Sequence, residues 1–322
     1  MISKEKFKLF VDELTNEDNE MIKKETSSSS GSSVGIGITF LIIGFVTFFS
    51  VGMIFFVLGI ILLASSAAAS YKKEAKKREY RDKYIDKVLN CLLEGYEYTF
   101  DREDKIEESI FDSSQFAYDY DIYKGSDKLS INIPNDDGSP SSTYLTLCDL
   151  EVEKIEYREV DDSFGSNQND FNKSFHHTRK EKVEVSVYDG VFGYVDFPFE
   201  FNCVLGLNSK YRKKGFNLEK VKLEDMMFHK KYGVYCNDQI EARYILTPDM
   251  MEKLLNLYNI YKGISMVLVD NRMYFSLPSK NLLELRNYKG DNTTVFDGIY
   301  DDISNILSIV EEIKNNNKIF RM

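Results

Sequence analysis

The longest break in the alternation of apolar and polar positions lies near the N-terminus, where Val34 to Ser70 run for 37 residues without a charged side chain. As one straight helix this stretch would extend about 55 Å, well beyond the ~30 Å hydrocarbon core of a bilayer. Two crossings of about 17 residues each would fit that thickness. The turn would fall at Phe49, Ser50, Val51 and Gly52, where Ser and Gly supply tight-turn geometry. Gly37 and Gly44, then Gly52 and Gly59, repeat at the same spacing, and small residues on one face let helices approach closely in lipid. The pattern predicts a transmembrane helical hairpin over 34–70.

Around this segment the periodicity is helical. Phe7, Phe10, Val11 and Leu14 mark a short amphipathic helix, joined to the hairpin by a Ser-rich linker, so that residues 1–33 form a leader that docks on the protein's own folded part or frays. "YKKEAKKREYRDKYIDKVLNCLLEGY" reads as a stalk helix over 71–98, charged at first and apolar later at Tyr84, Val88, Leu92 and Tyr96.

From residue 99 to the C-terminus the pattern predicts an α+β domain with a mostly antiparallel sheet and flanking helices, with a subdivision near 207. "AYDYDIY" and "LSINI" flank a "KGSD" turn, and Asp189-Gly190 provides a turn between "EKVEVSVY" and "VFGYVDF". The polar stretch 161–182 reads as a long loop. Thr247-Pro248 is a strong helix start, with Met250, Met251, Leu254, Leu255, Tyr258 and Tyr261 as its buried face. "ISMVLVDNRMYFSL" is a hairpin across Asp270-Asn271, and a last amphipathic helix closes the chain.

Charge then sets where this domain would work. Lys72, Lys73, Lys76, Lys77, Arg78, Arg81 and Lys83 follow the apolar run, and basic residues beside a membrane segment stay on the cytoplasmic side. These seven suit anionic lipid headgroups. The expected location is therefore a bacterial cell membrane, multi-pass, with both termini cytoplasmic. The whole chain carries a formal charge of -11. From Tyr84 onward the charge is -13, which argues against nucleic acid as a partner.

Candidate chemistry is sparse. Cys91, Cys148, Cys203 and Cys236 are far apart, with no CxxC or Cys/His spacing, so neither a zinc site nor a redox pair is read from them. His176-His177 sits in the polar loop and is read as solvated, and His229 as a surface or partly packed side chain. "NDDGS" at 135–139 lacks the acidic residue that a calcium loop needs after its glycine. No metal and no cofactor is expected. Glu241 and Arg243 in "QIEARYILTP", two apart and hence on one face of a strand, form with nearby Asp238 a small polar cluster that could bind a ligand. A structural ion pair is the plainer reading of it.

The stretch "FHKKYGVYCNDQIEARYILTPDMMEKLLNLY" resembles the signature of the bacterial membrane-protein family known as domain of unknown function 3137. The matching positions are Phe228, Val234, Tyr235, Asp238, Glu241 to Tyr244, Leu246 to Pro248, Met251 and Glu252, with further likeness in "VFGYVDFPFEF" and "DNRMYFSL". The Asn-rich loop at 161–180 departs from it. The resemblance implies two membrane segments followed by a soluble domain, and no assigned reaction, so no catalytic residue carries over.

The function read from these features is a membrane-anchored binding or scaffolding protein that recruits a protein partner. The alternative is an enzyme acting on a lipid headgroup or nucleotide through Asp238, Glu241 and Arg243. A channel made by hairpins assembling as a homo-oligomer is the third reading.

Overall fold

A computed structural model describes residues 1–15, 51–116, 118–135, 142–161, 178–208, 218–261, 263–278, 281–283, 285 and 296–320. The chain divides into two compact units, one of residues 1–95 with 283–304, the other of 96–282 with 305–322.

In the first unit, α1 (Lys4–Leu14) buries Phe7 and Val11 and leaves Leu9 exposed, as its helical spacing requires. Its cap is Ser3, whose side chain accepts from the Lys6 amide. This helix is docked on its own unit. Phe7 lies 5.1 Å from the Tyr300 ring, Lys4 pairs with Asp301 at 2.5 Å, Lys8 lies 3.7 Å from Asp297, and the Tyr300 hydroxyl donates to the Ile2 carbonyl at 3.1 Å. These acidic and aromatic partners stand on the first turns of α7 (Asp297–Phe320).

The other element of this unit is α2 (Val51–Leu92), a single helix of 42 residues. It corrects the expected transmembrane hairpin. A crossing needs ~20 consecutive apolar residues. Among the described residues no helix is long and apolar enough to cross a membrane. The multi-pass topology and the membrane localisation drawn from the hairpin are therefore not supported. Val51 and Gly52, assigned to the turn, are helical, as is Gly59, while Gly37 and Gly44 lie outside the described residues. The basic run continues the same helix. Lys72, Lys76, Arg78 and Lys83 are exposed and Lys77 and Arg81 partly covered, and the side chain of Lys73 lies outside the described set. The later part of α2 has the predicted stripe, with Tyr84, Ile85, Val88, Leu89 and Leu92 all buried.

The second unit is built on one nine-stranded, wholly antiparallel sheet, in the order β1-β2-β3-β4-β9-β8-β5-β7-β6. The strands are β1 (Glu97–Asp101), β2 (Ile122–Ile133), β3 (Thr143–Asp161), β4 (Thr178–Asp196), β5 (Leu205–Leu207), β6 (Glu219–Lys220), β7 (Val234–Cys236), β8 (Ser265–Val269) and β9 (Arg272–Pro278). Strands from both sides of position 207 share this sheet. Four helices accompany the sheet in this unit: α3 (Glu108–Ser113), α4 (Met226–Lys231), α5 (Gln239–Ile245) and α6 (Pro248–Tyr261). The remainder of α7, from Asn305, also belongs to this unit.

Both faces of the sheet centre are buried, so its strands are apolar at odd and even positions alike. One face carries Cys148, Leu150, Val152, Tyr188, Phe192, Val267 and Tyr274, covered by Ile106 and Phe111. Phe111 alone has five aromatic neighbours, Tyr118, Tyr120, Tyr123, Tyr188 and Phe192, with centroids 5.0 to 6.4 Å away. The other face carries Leu145, Leu147, Val195, Leu205, Leu268, Met273 and Phe275, likewise out of water.

Two local expectations are overturned here. "KGSD" is no hairpin turn but a bulge inside β2: the register with β3 slips between Ser126 and Leu129, and Asp127 takes φ 56. The hairpin partner on that side is β1. Asp189-Gly190 likewise lies within the continuous strand β4, where Gly190 (φ 153) faces Leu150 and Pro278, and a Cβ there would overlap the Leu277 carbonyl. The glycine permits close strand approach, not chain reversal. The hairpin across Asp270-Asn271 forms as read, with Val269 opposite Arg272. So does α6, where the Thr247 hydroxyl accepts from the Met250 amide at 3.2 Å. Its buried face is Met250, Leu254, Leu257 and Tyr261, with Met251, Leu255 and Tyr258 half-buried.

Candidate functional site

The three residues singled out as a polar cluster lie at the corner where β7 passes into α5, and their segment is helical. The strand reading of 239–245 is thereby corrected. Asp238 is the N-cap, its carboxylate accepting from the amides of Ile240 at 2.8 Å and Glu241 at 3.1 Å. Asp238 followed three residues later by Glu241 is a capping-box pattern, a helix signal present in the sequence that the alternation of apolar residues had masked.

On a helix, residues two apart point to nearly opposite sides. Glu241 and Arg243 are therefore not brought together as a pair. Arg243 instead donates to two backbone carbonyls, Gln239 at 2.9 Å and Lys222 at 3.2 Å, and Gln239 donates to the Lys220 carbonyl at 3.3 Å. These bonds fasten α5 to the segment that enters α4. There Asp225 caps α4 through the amides of Met227 and Phe228, and the His229 ring lies 2.8 Å from both the amide and the carbonyl of Leu223. That histidine is structural.

The fastened helices are anchored inward by Phe228 and Ala242, both fully buried. Outward they present Met226 (71% exposed), Met227 (60%), Ile240 (62%) and Tyr244 (42%).

Beneath the start of α5 lies an arrangement that sequence spacing had not revealed. Leu205 of β5 faces Cys236 of β7, and the pairing is prolonged by Val204 and Asn237: the Val204 amide donates to Asn237 Oδ1 at 2.9 Å and the Asn237 amide to the Val204 carbonyl at 3.4 Å. Cys203, in the bend just before β5, is thus brought to the neighbourhood of Cys236. Cys236 Sγ accepts from the Asp238 amide at 3.4 Å and donates to Asn237 Oδ1 at 3.8 Å. The neighbouring Cys203 thiol and the backbone amides hold the Cys236 thiol below its ordinary range despite burial. The Cys203 thiol, beside Cys236 and itself buried, is pushed well up. Thirty-three positions separate the two cysteines, so only strand order could bring them together.

Among the described residues no group of three or more His, Cys, Asp or Glu side chains could hold a metal ion. His176 and His177 lie outside them.

A family model described as "Protein of unknown function (DUF3137)" matches residues 186–315. The match supports that family for this part of the chain. The DUF3137 match begins within β4 and ends within α7, so it contains the α4–α5 corner, both thiols and all of the signature residues listed above. No curated protein matches the chain, and no solved structure does.

Proposed function

We propose that this protein is a binding module that recruits a protein partner through the α4–α5 corner, and that the segment it takes is apolar. The observation that carries this reading is the exposure of Met226, Met227, Ile240 and Tyr244 on two capped and mutually fastened helices. Methionine is adaptable and polarizable, which suits it to a recognition surface, and a rigid base lowers the ordering cost of binding.

Asp238, Glu241 and Arg243 serve this surface as cap and fastening. Their hydrogen bonds go to α5 itself and to the neighbouring backbone, which gives the enzyme reading no added support.

The test is affinity purification of the full-length chain beside a Met227→Asp, Ile240→Asp variant, with quantitative mass spectrometry and cross-linking. The reading expects a partner lost from the variant and cross-linked to this corner through an apolar segment. The same proteins recovered with both chains would sink it. Self-association abolished by the variant would replace the foreign partner with a second copy of this chain.

A further inference from the structure

We propose that this chain pairs with a second copy of itself, edge to edge, along the outer side of β3 about Tyr157. The starting point is where the sheet narrows. β3 and β4 stay paired out to Asp161 and Thr178, whereas β2 leaves β3 at Glu153 and β9 leaves β4 at Gly190. Beyond those points the two strands run on as a ribbon, about 26 Å of it along β3, with no third strand among the described residues. An open edge of this kind is a template for another strand, and Glu156, Tyr157, Arg158 and Glu159 are all exposed along it. This edge belongs to other elements than the α4–α5 corner and acts whether or not that corner takes a partner.

Backbone direction fixes which groups face out. The Ile155 amide points away from β4, since it donates to Asp121 Oδ2 at 2.8 Å, and on the same side the Glu153 carbonyl accepts from the Asp121 amide at 2.9 Å. Peptide groups alternate along a strand, and the β3–β4 register is unbroken from Glu153 to Asp161, so the N–H and C=O groups of Tyr157 and Glu159 also face the open side. An antiparallel second copy therefore sets odd positions against odd ones. Centred on Glu156 or on Arg158, the pairing would oppose each charge to its own like. Centred on Tyr157, it sets Glu156 opposite Arg158 of the other copy, twice by the two-fold symmetry, at the closely spaced positions where side chains interact most. The two Tyr157 residues then exchange backbone bonds, and each Glu159 amide meets an Ile155 carbonyl. Within one chain Arg158 and Glu156 are only 3.4 Å apart at exposed positions, a weak contact that the second copy replaces. Tyr157, 69% exposed, stands on the symmetry axis, where its ring is covered by its own counterpart.

The β4 edge of the same ribbon is the internal control. There a pairing about Val183 would set Lys182 opposite Glu184, so its charges also match. Val183 is half-buried, however, and among the described residues no large apolar side chain is exposed on this edge. The aromatic ring at the centre favours the β3 edge.

The experiment is sedimentation velocity on the full-length chain over a range of concentrations. The result expected is a reversible species of twice the 37.4 kDa chain mass. Glu156→Arg and Arg158→Glu should each weaken it about tenfold or more, since each turns both opposed pairs into like-charged ones. The double variant carrying both changes regains the dimer, and so does an equimolar mixture of the two single variants. These recoveries read the register, and the exposed positions leave the fold intact. The proposal is overturned by a wild-type chain that stays monomeric, by an oligomer indifferent to both single variants, or by failure of both the double variant and the mixture to recover it. An oligomer that Lys182→Glu dissolves and Glu156→Arg does not would also overturn it, and would assign the contact to the β4 edge.

Discussion

Cys148 and Cys236 belong to one sheet and are both fully removed from water, yet their surroundings push the two thiols in opposite directions. Cys148 faces the aromatic cluster around Phe111, where desolvation dominates. Cys236 accepts from a backbone amide and has a second thiol nearby. Burial alone therefore does not decide the chemistry of a thiol; the hydrogen-bond donors that share its burial do. The contrast extends to the helices above. α3 closes a dense apolar core, while α5 keeps its apolar residues outside and holds its position through capping and carbonyl bonds.

The sharpest way to test this contrast is to damage the core side. Phe111→Ala removes the ring at the centre of five aromatic contacts and should cost about 3–5 kcal/mol, as such large-to-small changes do. Chemical denaturation monitored by tyrosine fluorescence would show it, and a cost near zero would mean the cluster is not packed as described. Gly190→Ala should follow with a loss of more than ~1 kcal/mol, because it meets both an unfavourable φ and the Leu277 carbonyl. A melting temperature equal to wild type would contradict the continuous path of β4.

At the other corner the effects are smaller and local. Asp238→Ala removes two capping bonds and should cost ~1 kcal/mol, seen as faster hydrogen exchange at the Ile240 and Glu241 amides with the sheet centre unchanged. Ile240→Ser should stay within ~0.5 kcal/mol of wild type in stability while weakening partner recovery. Equal recovery would separate the exposed isoleucine from function.

The smallest effect is electrostatic. The Lys128 ammonium, followed by the Lys105 amide, holds the Asp104 carboxyl below its usual value. A carboxyl whose folded pKa is depressed contributes stability that is complete above its unfolded value, ~3.9, and is lost as pH falls through the folded one. Asp104→Asn and wild type should thus differ slightly near neutrality and converge below pH ~4. Since the pair is surface-exposed, salt should shrink the difference.

Much of the fold was legible where the rules are local. The buried residues of α1 and of late α2 followed from 3.6-residue spacing, and the Asp270-Asn271 hairpin and the Thr247-Pro248 helix start from turn and cap chemistry. The misreadings have separate causes. "KGSD" and Asp189-Gly190 have turn composition, but a long antiparallel neighbour on each side can draw such residues into a bulge or a close strand contact. In "QIEARYI" the alternation of apolar residues outweighed the Asp238 and Glu241 capping signal. The apolar run at 34–70 was read as a hairpin from its length, its flanking charge and its glycine spacing, and no described helix proved long and apolar enough to cross a membrane.

The sequence by itself determined the antiparallel α+β class, the acidic character of the chain beyond Tyr84 and the helix caps, because each depends on residues within a few positions or on a sum over the chain. Tertiary structure alone decided that Cys203 comes near Cys236, that Cys148 does not share their surroundings, and that Met226, Met227, Ile240 and Tyr244 remain outside. Those outcomes depend on which strands become neighbours and which face each one buries, and a strand order of β9-β8-β5-β7 is set by packing across the whole sheet.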